Sequence, residues 1–424
     1  MHRDAVWTRR RQAASHMAGL FGLAITLCPT RVQARQIDVY PAAGAPIAAA
    51  LRVAQPGDTI FIHRGSYRES TLQVMTPMVL RGEPGTVLDG LGQHALLIVH
   101  ASHVTVQGLT FRNTGFSGID DRAALRFVDV ADCRVIGNTI EQAFFGIYLA
   151  RVTGCDVRDN HISGTAGGEM DAGNGIHLWY ARDVQLTRNT VQHHRDGIYF
   201  EFTHGSVVRD NESRDNGRYG LHFMFSDSCQ YVHNRFVHNA AGIAVMYTSH
   251  VEIRDNLFAD ARGSASYGLL LKSISDSRIE GNLFRSNSIA LHLEDANRNQ
   301  ILGNRLERNG WALRLMASAD DNQVARNDFV GNSFDVVAMG DRNSTRMHDN
   351  YWDAYRGYDL DRDGVGDVPH HPVRLFALIV AHNPPALVLL RSFLLDLLDL
   401  AERVMPVLTP ASVVDTAPSM RSHT

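Results

Sequence analysis

Ten asparagines, Asn138, Asn160, Asn189, Asn211, Asn234, Asn256, Asn282, Asn304, Asn327 and Asn350, follow one another at steps of 22, 29, 22, 23, 22, 26, 22, 23 and 23 residues. A unit this short cannot bury an apolar face alone, so each repeat must stack on the next. Three places before the asparagine stand apolar residues such as Val135, Val157, Leu186 and Val208; two places after it come Ile140, Ile162, Val191, Phe236, Phe258 and Phe284. A second run in each unit opens on a small residue, as at Gly146, Gly175, Gly197, Gly220, Gly242 and Gly268, and again alternates apolar positions. Period two, with Asn, Asp and Gly between the runs and no space for a helix per unit, predicts coils of short strands stacked as parallel sheets. The expected fold is all-β, a parallel β-helix. The Leu-x-x-Leu-x-Leu pattern of a leucine-rich repeat is absent.

The asparagine column follows from that geometry. A coil turns tightly at the same place each time, and Asn tolerates the left-handed backbone region while its amide can bond along the stack. The column is therefore predicted to be structural rather than catalytic.

At 424 residues the chain exceeds an ordinary globular domain, but a solenoid lengthens without a second core. A net charge of −4 and no basic stripe argue against nucleic-acid binding. The N-terminus carries Arg9, Arg10 and Arg11, an apolar run at 20–27 and a small-residue exit at Ala34. This matches a secretory signal peptide over 1–34 and places the remainder outside the cytoplasm, where disulfides are permitted. Cys133, Cys155 and Cys229 then remain, each five places before a marker asparagine. A small buried apolar residue accounts for all three, and Cys133 and Cys155, on consecutive coils, are also within reach of a bridge.

The solenoid is expected to span 35–355, with a short helix at 46–54 covering its open end. Residues 356–374 form an acidic capping loop in which Asp359, Asp361, Asp363 and Asp367 stand at the spacing of the first half of an EF-hand loop. Such carboxylates suit a hard cation such as calcium, and they equally suit a solvated acidic turn; His370, not Glu, holds the twelfth position. From 375 to 408 the chain is apolar and helix-forming, with one helix expected over 386–404 whose polar residues fall within one arc. That helix either folds back on the solenoid or docks outward on a membrane protein. Residues 409–424 are expected to form a flexible tail, and removal of 386–424 to leave the solenoid folded.

Strand alternation turns a set of side chains away from the core after each small residue. The pairs include His177 and Trp179, Tyr199 and Glu201, His222 and Met224, Ala244 and Met246, Leu270 and Lys272, His292 and Glu294, Arg314 and Met316, and Val337 and Met339. Four of the chain's 12 methionines thus share one outward column. Thioether and imidazole suit Cu(I), so His222, Met224 and Met246 form a candidate copper site, with Met316 and Met339 as a weaker second one. The alternative is an apolar bed covered by a loop or helix, such as the insertion at 164–173. Glycan cleavage would need two carboxylates about 5–9.5 Å apart, whereas Glu201 and Glu294 are four coils, or about 19 Å, apart. No catalytic residues are assigned and the chain is not expected to be an enzyme. A carbohydrate-active lyase or epimerase and a metal-free scaffold stand as the rival readings.

The entry Gln-Pro-Gly-Asp-Thr-Ile at 55–60, the repeats, and Asn-Tyr-Trp-Asp at 350–353 leading to Asp-Arg-Asp-Gly-Val-Gly-Asp-Val-Pro at 361–369 resemble the NosD family. The resemblance covers most of the chain beyond residue 34. It implies a right-handed β-helix in the periplasm, without catalytic residues. It also implies work with an ATP-binding cassette transporter in assembling the copper centre of nitrous oxide reductase; the apolar face of the C-terminal helix points to the membrane subunit of that transporter, and a copper chaperone is a further expected partner.

Overall fold

The computed structural model describes residues 34–117, 119–165, 172–263, 266–340, 344–390, 392–405 and 413–423. The signal-peptide segment up to residue 33 and residues 166–171 of the insertion lie outside them. The fold is the expected parallel β-solenoid, built from three sheets. Sheet I has 14 strands, from Gln36–Val39 to Arg346–His348; sheet II has 13, from Gly65–Tyr67 to Tyr351–Trp352; sheet III has 12, from Leu72–Val74 to Phe334–Ala338. Register keeps like on like: Val135 pairs with Val157 and then Leu186, and Phe236 with Phe258 and then Phe284. The three phenyl rings stack at 5.5 and 4.8 Å inside the tube. Inward residues of all three sheets form one continuous core.

The marker asparagines stand at the corner between sheets I and II. The amide of Asn234 donates to Val208 O at 2.8 Å and to Asn256 Oδ1 at 3.0 Å, while its Oδ1 accepts from Asn211 N at 2.9 Å. Amide thus bonds to amide along the stack, as expected. The left-handed conformation falls elsewhere: the residue before each asparagine carries it, for example Asp210, His233 and Asp255 at φ 56°, 56° and 57°. The reason is that Asn itself must point inward to reach the next rung, so its predecessor makes the turn. The corner between sheets II and III has a similar ladder, with Asn216 bonded to Asn239 and Asn287 to Asn309.

Helix α1 (Pro46–Val53) turns Ile47 and Ala50 onto the first coils, and the Glu69 carboxylate accepts from the Ile47 and Ala48 amides at its start. Cys133 and Cys155 are paired as a disulfide across adjacent coils with Cα atoms 4.5 Å apart, and buried Cys229 is free. Burial pushes the Cys229 thiol up to about 12, so it stays protonated and unreactive.

At the far end, α2 (Leu375–His382) packs Phe376, Ala377 and Val380 against Phe334 and Trp311 of sheet III. The single helix expected over 386–404 is split into a 3-10 turn at Pro384–Leu389 and α3 (Phe393–Val404). Ser392, extended at φ −98° and ψ 157°, separates them; its side chain closes the first turn by donating to Leu389 O at 2.8 Å. The segment expected to be a flexible tail is anchored where it is described. Asp415 is fully buried and accepts from Asn350 N, from the Asn350 amide and from Trp352 Nε1, and Val413 enters the core. Residues 413–423 bridge Met347 and Tyr351 and so add a partial coil.

Candidate metal centre

The strand Tyr219–Met224 and the next, Ala241–Ser249, lie side by side in sheet III with His222 opposite Ala244 and Met224 opposite Met246. Adjacent parallel strands are about 4.8 Å apart, so the two thioethers share one patch of the outer face. Both methionines are partly exposed, and Met224 Sδ accepts from the Tyr199 hydroxyl at 3.8 Å. His222 points to the same face, but the expectation that it is open to solvent is corrected: only 7% of its surface is exposed. Tyr199 and Tyr219 flank its ring, at centroid distances of 5.1 and 4.8 Å. Ala244, the smallest residue of its column, stands beside it and is fully buried.

Sequence reasoning missed the groups that hold this histidine. His222 Nδ1 lies 3.4 Å from Asp196 Oδ2 and 3.2 Å from Arg218 Nη2, while Nε2 is buried with no hydrogen-bond partner. Asp196 has no exposed surface, and Arg218 donates to both of its oxygens. Burial acts to raise the Asp196 pKa, but the bonds from Arg218 and His222 outweigh it and hold the carboxyl below the usual range. Asp196 belongs to the preceding coil, 26 places before His222, so no local motif reports the contact.

A rim of aromatic rings also escaped the sequence reading. Tyr180, Phe202, Phe225 and Tyr247 each follow the outward column by one residue and stack at 4.6, 5.4 and 5.0 Å beside Met224 and Met246. The signal was present as an aromatic at the same place in four successive coils.

Beyond Met246 the column continues with Lys272 and Glu294, ion-paired at 2.7 Å. Met316 and Met339, the candidate second pair, stand one residue past their strands at equivalent places in adjacent coils. His292 on the same face is buried, and its Nδ1 has no hydrogen-bond partner. The two methionine pairs are therefore separate, with the ion pair between them.

In the acidic loop, oxygens of Asp359, Asp361 and Asp363 come within 4.8 Å of one another. Asp367 instead turns to accept from Leu360 N at 2.7 Å, and the other three each accept from an amide of the loop, while Asp359 Oδ1 is buried without a hydrogen-bond partner. His370 is withdrawn from the loop: its backbone bonds Asp415, its ring lies 5.0 Å from Trp352, and burial lowers its pKa to about 4.

A second surface lies on α3. Leu395 and Leu398 pack on the α2 cluster, whereas Phe393, Leu397, Leu400 and Val404, spaced four, three and four apart, form an exposed apolar stripe. Among the described residues no helix is long and apolar enough to cross a membrane.

A family model described as "Periplasmic copper-binding protein (NosD)" matches residues 164–358. A protein of Pseudomonas aeruginosa named "Probable ABC transporter binding protein NosD" is 35% identical over 364 residues, covering 81% of this chain and 84% of that one. A protein of the same name from Stutzerimonas stutzeri is 30% identical and covers 85% and 86%. Among solved structures, the A-module of the Azotobacter vinelandii mannuronan C-5 epimerase AlgE6 superposes with a TM-score of 0.60 at 16% identity, over 70% of this chain and 93% of that one. A mannuronic acid specific family 6 polysaccharide lyase from human gut microbiota gives 0.55 at 13%, over 78% and 90%. Likeness at these identities is likeness of fold alone.

Proposed function

The chain belongs to the NosD family, and from that premise we propose that it is a periplasmic accessory protein that binds Cu(I) while the copper centre of nitrous oxide reductase is assembled, beside an ATP-binding cassette transporter. The observation that carries the copper reading is the register pairing of Met224 with Met246 on the face that also holds His222, whose buried Nε2 lacks a hydrogen-bond partner. Soft, neutral donors in a partly dry patch favour Cu(I) over harder cations. Met224, Met246 and His222 would hold the ion; Met316 and Met339 form the weaker second site. The aromatic rim runs beside the methionine pair, with Glu201 and Lys272 at the neighbouring places of the column, and the partly exposed thioethers are open to a copper chaperone or to the reductase.

The exposed stripe on α3 supports docking on the membrane subunit of the transporter. Its inward leucines already join the α2 cluster, whereas the outward ones are exposed among the described residues.

Cu(I) titration against a competing chelator tests the copper reading. The protein should bind Cu(I), and the double variant Met224→Leu/Met246→Leu should bind it more weakly. The replacement keeps volume and apolarity, so stability should change by less than about 1.5 kcal/mol. Equal Cu(I) affinity in the folded double variant would reduce the column to packing.

A further inference from the structure

Resting on the copper reading above, we infer that Glu201 supplies the counter-charge of the cation held by Met224 and Met246. It acts through its negative charge, not as a soft ligand.

Glu201, Met224 and Met246 stand on three successive rungs of one outward column of sheet III. Adjacent rungs are about 4.8 Å apart, so the side chains of Glu201 and Met224 lie side by side. The other charged groups nearby are already engaged. Asp196, on the same strand as Glu201, is bound by Arg218; Arg195 turns to Asn174 and Asp196; Lys272 pairs with Glu294. On the rung before Glu201 stands Trp179, and Arg151, whose guanidinium lies over that indole, is bound to Asp129. The Glu201 carboxylate itself has no hydrogen bond or ion pair among the described residues. Its charge nevertheless reaches the site. Tyr199, whose hydroxyl donates to Met224 Sδ at 3.8 Å, has its pKa raised to about 12, by burial first and by the Glu201 carboxylate next.

Two thioethers and a metal-bound imidazole carry no charge, so a Cu(I) ion held by them leaves one positive charge unbalanced in a partly covered patch. A free carboxylate one rung away offsets it. The second methionine pair repeats the pattern with the opposite sign. Glu294, Met316 and Met339 are again carboxylate, thioether and thioether at equivalent places on consecutive rungs. There, however, Glu294 is spent on Lys272 at 2.7 Å. Arg314, on the strand that leads to Met316, rests over the Trp311 ring at 5.9 Å and has no carboxylate partner among the described residues. The first pair thus stands beside a free negative charge and the second beside a free positive one, which is a physical reason for the second to be the weaker site.

Cu(I) titration against a competing chelator, in a chloride-free salt at about 0.01 M and at about 1 M, separates charge from shape, because the Debye length falls between them from about 30 to about 3 Å. Glu201→Gln keeps the size of the side chain and removes its charge; its affinity should fall about tenfold at low salt, with the gap to the unsubstituted protein closing at high salt. Glu201→Asp keeps the charge and should retain most of the affinity. Equal affinity of folded Glu201→Gln and the unsubstituted protein at low salt overturns the inference, makes Glu201 a solvated surface carboxylate and leaves the copper reading intact. A fall that Glu201→Asp shares in full and that salt does not alter assigns shape rather than charge, and overturns it as well. Absence of Cu(I) binding by the unsubstituted protein sinks the copper reading and the role of Glu201 together.

Discussion

Each inner asparagine is used to capacity. Asn234 receives two bonds at its oxygen and gives two from its nitrogen, which exhausts the amide. Asn234→Ala would leave Asn211 N buried without its acceptor, so a loss of about 1–3 kcal/mol is expected in urea unfolding. Asn234→Asp should be no remedy, because a carboxylate cannot donate onward. Buried histidines add a pH dependence of definite sign. Burial lowers His177 to about 3 and His194 and His292 to about 4, against an ordinary value near 6.5. The unfolded chain binds protons at these sites first, so their neutral packing is fully stabilising above about pH 6.5 and is lost as pH falls toward 4. The melting temperature should decline across that window, and replacing His177 with a neutral residue of similar shape should flatten the decline.

Elements show why an acid can end the ladder that asparagines build. The last rung has no successor to serve, so Asp415 needs only to accept, and it takes three donors from Asn350 and Trp352. Sequence reading could place the coils because the asparagine period, the phenylalanine stack and the strand alternation are all local. It could not place Asp415, which lies 65 residues past Asn350 with a helical segment between and no period to mark it. The same limit hid Asp196 behind His222 and made His222 look open, since register says which face a side chain joins but not which rings cover it. One earlier expectation changes in consequence. Removal of 386–424 would strip Asp415 and leave Asn350 N and Trp352 Nε1 buried and unpaired, so the final coils should fray. Asp415→Ala should reproduce that fraying, seen as faster amide exchange at 346–352, with exchange at the middle coils unaltered.

On the scale of the whole molecule, stacking gives a long face on which separate tasks can be distributed. Glu201 and Glu294 confirm the point negatively: register places them four rungs apart, about 19 Å, too far for a glycosidase pair, and no turnover of uronate polymers is expected in an assay for released unsaturated or reducing ends. The same face runs from the His222 site past the Lys272–Glu294 pair to Phe334 and Trp311, on which the α2 cluster is built and against which α3 rests. The proposed metal site and the proposed docking stripe thus lie on side chains several coils apart, and the two tasks should be separable. Changing Phe393, Leu397, Leu400 and Val404 together to serine touches only the exposed stripe; each such surface change ordinarily costs within about 0.5 kcal/mol, so the solenoid should stay folded. Cu(I) affinity should then be unaltered while co-purification with the transporter's membrane subunit is lost, and Met224→Leu/Met246→Leu should do the reverse. Undiminished co-purification of the serine variant would move the docking surface elsewhere, and the aromatic rim of Tyr180, Phe202, Phe225 and Tyr247 is the next exposed apolar surface to which the same test applies.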